Sequence, residues 1–163
     1  MIEEREGWFV VNVAAAQWLH SPSFGYRCKF DVDRPFTDVG INLTVLEPGK
    51  AACRYHRENA QEDFLVLAGE ALLLVNGEKR ALQTWDFVHC PPGVSHVFVG
   101  AGDRPCAILM IGHRRGDRHE LFYPANAQAR EYGAEAPEPT PDPRVAYGDV
   151  QRFEKTEAPR WPL

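Results

Sequence analysis

Apolar residues along this chain fall in short runs separated by turn signals, with little helical periodicity before residue 120. Trp8 to Val13 and Gly25 to Asp31 read as strands, the second closed by Arg34-Pro35, and Ala14 to Leu19 between them predicts one helical turn. Gly40 to Leu46 alternates in the manner of a half-buried strand, and Glu47-Pro48-Gly49 turns the chain. Ala52 to His56 resumes an extended segment, and Asp63 to Ala68 is a further strand flanked by Gly69. Ala71 to Val75 and Glu78 to Leu82 flank Asn76-Gly77, whose two residues tolerate the positive φ of a type I′ turn and so predict a hairpin. Phe87 to Cys90 is stopped by Pro91-Pro92-Gly93. His96 to Val99 and Cys106 to Ile111 form another hairpin across a longer loop, residues 100–105.

Beyond residue 120 the character changes. Tyr123 to Gly133 predicts a short helix with its glycine placed as the C-terminal stop. Residues 134–144, rich in Pro and Glu, read as a linker or extended arm that packs no core. Phe153, Trp161 and Leu163 predict a tail that docks on a neighbouring surface. Many short antiparallel strands in one domain favour a barrel or two-sheet jelly roll, since an open sheet would leave long edges.

Composition narrows this further. A chain of 163 residues points to one domain. Such a chain buries about 70% of its unfolded surface and needs no disulfide or metal to fold. The formal net charge of −5 is spread over mixed signs, which excludes a basic nucleic-acid footprint. The cationic cluster His113-Arg114-Arg115-Gly116-Asp117-Arg118-His119 reads as a solvated loop. No apolar run has membrane length, and the polar, acidic start is unlike a signal peptide, so the expected location is cytoplasmic. Cys28, Cys53, Cys90 and Cys106 form no C-x-x-C pair and are expected as reduced, packed thiols.

Candidate chemistry lies in two stretches, Tyr55 to Glu62 and Pro91 to His96. Residues two apart on a strand share a face, about 7 Å apart. His56 and Glu58 are therefore expected on one face with Arg54. Glu62 opens the next strand, with Phe64 and Val66 continuing its face, and His96 arrives from a separate strand. Two imidazoles and two carboxylates make a shell suited to Fe(II), Mn(II), Ni(II) or Zn(II). Cys90 shares a face with Val88 and is expected at the pocket wall near His96, as a packed thiol rather than a ligand. His89 is expected at an inter-sheet or subunit interface, Tyr55 in the core or an interface. Trp8, Trp18, Trp85 and Trp161 are expected in the core or as docking residues. Serine-hydrolase, nucleotide-binding and H-E-x-x-H templates are absent from the sequence.

These two stretches resemble the motifs of the cupin superfamily. Its first motif, G-x5-H-x-H-x(3,4)-E-x6-G, is matched by Gly49, His56, Glu62 and Gly69, with one extra residue after Gly49 and Glu58 in the second His place. Its second, G-x5-P-x-G-x2-H-x3-N, is matched by Pro91, Gly93 and His96, with Trp85 in place of the first Gly and Gly100 in place of the last Asn. The hairpin expected between the motifs is present. The resemblance implies an all-β fold, a double-stranded β-helix or jelly-roll barrel, with an N-terminal strand extension and a short C-terminal helix plus extended tail. The corresponding division is residues 1–39 packed on the barrel, 40–112 as barrel core, and 113–163 as loop, helix and tail. It implies a divalent metal on His56, Glu58, Glu62 and His96, and a homodimer.

Arg54, Phe64, Val66 and Cys90 are expected to line the substrate pocket, with Arg54 pairing a carboxylate or phosphate. The expected function is metal-dependent catalysis on a small polar organic molecule, of oxygenase, isomerase or lyase type. The alternative is a non-catalytic small-molecule-binding or sensing module. No nucleic acid or membrane partner is expected.

Overall fold

The computed structural model describes residues 2–5, 7–31, 36–114 and 116–160; the expectations placed on Arg34-Pro35, Trp161 and Leu163 lie outside them. β1 (Ile2–Arg5) and β2 (Trp8–Val11) make a two-stranded ribbon. After a single 3-10 turn at Val13–Ala15, β3 (Gln17–Ser21) and β4 (Gly25–Lys29) pair antiparallel. There follow β5 (Val39–Leu46), β6 (Arg57–Glu58), β7 (Glu62–Ala68), β8 (Glu70–Val75), β9 (Glu78–Gln83) and β10 (Phe87–Cys90). β11 (His96–Gly100), β12 (Cys106–His113) and β13 (Leu121–Phe122) come next, then α1 (Ala127–Arg130), α2 (Pro143–Ala146) and β14 (Glu154–Thr156). One sheet runs β10-β7-β12-β5-β4-β3-β14, and a second runs β11-β8-β9; β13 pairs with β6 beside them. The fold is all-β, a double-stranded β-helix with a short C-terminal helix.

Alternation builds the core. Cys106 and Ile108 of β12, Leu46 of β5 and Phe64 of β7 point inward to meet Leu73 of β8 and Phe98 of β11. Their neighbours Ala107, Leu43 and Val45 point outward and pack with Trp18 and Cys28. β11 is buried on both faces, which explains its unbroken apolar run: Val97 and Val99 pack outward on Phe24, Tyr55, Ala129 and Ala134. The hairpin turn forms as expected, with φ of 46° at Asn76 and 83° at Gly77. Gly100 is required by contact, since a Cβ there would lie 2.3 Å from the Glu47 carbonyl oxygen.

The expected helical turn over Ala14 to Leu19 is corrected. Only Val13–Ala15 coils, and Trp18 is a strand residue opposite Cys28, because pairing with β4 overrides local propensity. The helix expected from Tyr123 shrinks to Ala127–Arg130. Tyr123 precedes Pro124, which disfavours helical ψ, and its N–H bonds the Thr140 carbonyl instead. Asn126 caps the helix, its side chain accepting from the Ala129 N–H.

Residues 134–144 are not a loose arm. Ala134, Ala136 and Thr140 are buried, and the Tyr55 N–H donates to the Ala134 carbonyl at 2.7 Å. Small side chains let this backbone approach the barrel closely. The tail then returns as β14, paired to β3 of the same chain. Of the described tryptophans, Trp18 is core, whereas Trp8 and Trp85 are exposed.

Candidate metal centre

His56 and His96 form a reciprocal bridge between the chain before β6 and the start of β11, with each backbone N–H donating to the other's carbonyl. Their rings lie 5.1 Å apart. Each Nδ1 faces a carbonyl, Arg54 O at 2.8 Å for His56 and Val94 O at 3.1 Å for His96. A carbonyl only accepts, so each Nδ1 carries hydrogen, and Nε2 is the atom that binds a metal in the neutral ring or takes the second proton in the charged one. Both Nε2 atoms face carboxylates: His56 Nε2 lies 3.5 Å from Glu58 Oε1, and His96 Nε2 lies 3.4 Å from Glu62 Oε2.

One ligand atom each from His56, Glu62 and His96 falls within 4.8 Å of the others. Metal bonds of about 2.0–2.2 Å put ligand atoms roughly 3–4 Å apart, so this donor set fits a transition-metal ion. Glu58 stands beside that trio. Its second oxygen, Oε2, lies 3.4 Å from His119 Nε2.

Burial sets the electrostatics. Desolvation raises the Glu62 carboxyl to about 7, with His56 opposing and Glu58 adding to it. Desolvation and the neighbouring His56 lower His96 to about 4. Burial also works to lower His56, but Cys53, Glu58 and Glu62 together reverse the sign and raise it well above 6.5. Burial works to raise Glu58, but the hydrogen bond from His56 and the charges of His56, His119 and His96 lower it overall.

The four residues line one cavity of about 320 Å³, with Phe64 on its wall. Three other expectations for this pocket are corrected. Arg54 does not line it. The chain before β6 is irregular, so alternation fails there, and the Arg54 side chain turns away and is buried. It donates to the carbonyls of Ala146, Gly133 and Glu135 and pairs with Asp149. Val66 is wholly buried deeper along β7, and Cys90 packs among Ala71, Leu73 and Phe98, its thiol pushed up to about 12 by burial. All four cysteines are free.

His113 closes β12 rather than lying in a loop, and His113, Arg114 and His119 border the cavity, so the cationic segment is a wall and not merely solvated. Asn59 holds that wall in place, bonding the Arg118 carbonyl and the Glu120 N–H through its side chain. His89 is exposed and pairs with Asp63. Sequence reasoning missed Arg27, Asn42, Met110, Tyr123 and His119 as lining residues. Continuing the alternation of β4, β5 and β12 would have found the first three; Tyr123 and His119 lie on irregular chain that carries no period.

Residues 42–112 match the family described as the cupin domain. Gentisate 1,2 dioxygenase 1 of Aquipseudomonas alcaligenes is 31% identical over 74 residues, 45% of this chain and 21% of that protein, so the likeness spans about a fifth of the relative's length. A solved sugar phosphate isomerase of the cupin superfamily from Silicibacter pomeroyi is 19% identical, with a TM-score of 0.63 over 72% of this chain and 82% of that one. The polyketide cyclase RemF of Streptomyces resistomycificus superposes with a TM-score of 0.60 at 15% identity, over 77% of this chain and 96% of its own. Among the described residues no helix is long and apolar enough to cross a membrane.

Proposed function

Residues 42–112 form a cupin domain, and on that premise we propose that this protein is a metal-dependent enzyme acting on a small polar organic molecule in the barrel cavity. The observation that carries this reading is the pair of imidazoles locked through Nδ1 onto carbonyls, with both Nε2 atoms aimed at carboxylate oxygens. At 3.4–3.5 Å these contacts exceed the optimum of a hydrogen bond, and a metal ion seated among the four groups would bind imidazoles and carboxylates together in place of their protons.

His56, Glu62 and His96 would hold Fe(II), Mn(II), Ni(II) or Zn(II), with Glu58 completing or flanking the set. Such an ion supplies Lewis acidity or redox capacity to a substrate held next to it. Glu58 and His119, facing each other across the cavity wall, hold and pass a proton at the substrate's edge. Phe64, Phe98 and Met110 give the cavity an apolar side that limits water. The dioxygenase relative supports oxygen chemistry; the fold-level likenesses to an isomerase and a cyclase leave other reaction classes in view. A cytoplasmic homodimer belongs to the same reading, and light scattering of the purified protein checks the assembly.

Metal analysis is the test. One equivalent of a transition metal per chain is expected in the native protein, falling below about a tenth in His56→Ala and in His96→Ala. Native protein that takes up no such metal from solution sinks the reading. Oxygen uptake in a substrate screen then separates oxygenase from isomerase or lyase. A second reading, a metal-free binding module, draws on the same pairs: a protonated His56 facing Glu58 would satisfy both without an ion.

A further inference from the structure

Arg27 differs from the other arginines around the barrel. It lies on β4 opposite Thr44 of β5, on the face turned away from the outer cluster of Trp18, Cys28 and Val45. Its side chain is half-buried and stands between two cavities, the one that holds His56, Glu62 and His96 and a second one lined by Phe24, Tyr147 and Phe153. Arg54 and Arg114 each have a carboxylate, Asp149 and Asp31. Arg27 has none within ion-pair distance among the described residues. One nitrogen, Nη2, donates to the Ala52 carbonyl at a long 3.3 Å, and the Phe153 ring lies 4.8 Å from the guanidinium carbon. A guanidinium carries five N–H donors, so most of this fork is uncommitted. The group best matched to a free guanidinium fork is an oxyanion that takes two parallel hydrogen bonds.

The cavity is correspondingly polarised. Carboxylates and imidazoles gather around His56 and His96, while Arg27 on β4 and Arg114 after β12 border it from the large sheet. A volume of about 320 Å³ lies at the small end of ligand cavities and suits a small organic molecule.

We propose that Arg27 is the recognition group for a carboxylate or phosphate of the ligand, so that the molecule taken into this barrel is a small organic acid. This rests on the cavity being the ligand site, as in the function proposed above. Arg27 thereby takes the role that the sequence alone suggested for Arg54.

The test uses the full chain at neutral pH and two matched pairs of probes that differ in charge. Salicylate and salicylamide form the carboxylate pair; dihydroxyacetone phosphate and dihydroxyacetone form the phosphate pair. Binding is followed by calorimetry and by thermal shift. The native protein is expected to bind the anionic member of one pair at least tenfold more tightly, and the pair that discriminates identifies the oxyanion. Arg27→Gln, which keeps a donor for the Ala52 carbonyl, is expected to lose that preference, and Arg27→Met to lose it equally. Absence of a preference in the native protein overturns the proposal without any variant having to fold. So does a preference that survives in Arg27→Gln, which would leave Arg27 as a brace for Phe153 and Ala52. Metal content, measured on the same preparations, separates the two readings. Metal-free protein with an Arg27-dependent preference removes the metal and keeps the acid site; metal-loaded protein without one does the reverse.

Discussion

A single guanidinium shows how far one side chain can reach. Arg54 is 3% exposed and ties the chain before β6 to three carbonyls and a carboxylate of the C-terminal segment. Arg54→Met would leave the Ala146 and Glu135 carbonyls without their donor while the exposed Asp149 returns to water, and a loss of about 2–3 kcal/mol is expected in urea unfolding. A loss well under 1 kcal/mol would mean the clamp does not hold the segment. Trp85 makes the opposite case. It is a bulky, 71% exposed residue at φ 76°, where the related motif has glycine. The left-handed conformation costs an L-residue about 1–2 kcal/mol, and little burial is lost with this indole. Trp85→Gly is therefore expected to raise the melting temperature by a few degrees, from a gain of about 1 kcal/mol. An unchanged or lower melting temperature would show that the indole contributes packing that outweighs the strain.

At the scale of elements, the segment after α1 is part of the core and not an appendage. Its Ala134, with Ala129 of α1, covers the outer face of β8 and β11 at Leu74, Val97 and Val99, while Ala136 packs with Tyr123 and Ala146. Ala134 has no free surface, so Ala134→Leu would overpack this layer. The expected cost is about 1–3 kcal/mol, read as a lower denaturation midpoint with unchanged slope. A neutral result would place the segment off the barrel in solution. The hairpin of β8 and β9 and the strands β5, β7 and β12 were legible in the sequence, because each is a period of two punctuated by turn chemistry. The C-terminal segment was not, because Pro and Glu dominate its composition while its buried surface is alanine and backbone.

For the whole molecule, buried titrating groups couple the centre to pH. Glu62 is raised from 4.5 to about 7, so the folded chain keeps a proton that the unfolded chain has released. Its contribution to stability is full below 4.5 and is lost as pH rises through 7. His96 is lowered from 6.5 to about 4, so its contribution is present above 6.5 and is lost as pH falls through 4. Between 4.5 and 6.5 the two slopes oppose each other. The metal-free protein is expected to show little change in stability across that interval. Metal binding does not cancel in this way. It requires Glu62 as carboxylate and both Nε2 bare, so affinity should climb about tenfold per pH unit for each proton displaced below about 7. Metal titrations from about pH 5.5 to about pH 7.5, in buffers of different ionisation enthalpy, measure that proton release. A pH-independent affinity would remove both Glu62 and His56 from the ligand set.

The strands β4, β5 and β7 to β12, the turn at Asn76-Gly77 and the candidacy of His56, Glu58, Glu62 and His96 could be read from the chain by itself. Each is written in local alternation, in glycine and proline, or in spacing along one short stretch. Only the tertiary structure decided that Arg54 leaves the pocket and that Tyr123 and His119 enter it. It alone turned the apparent linker into a layer of the core. Those outcomes depend on partners distant in sequence, such as Arg54 and Asp149, 95 residues apart, and no local period records which of two faces such a partner will cover.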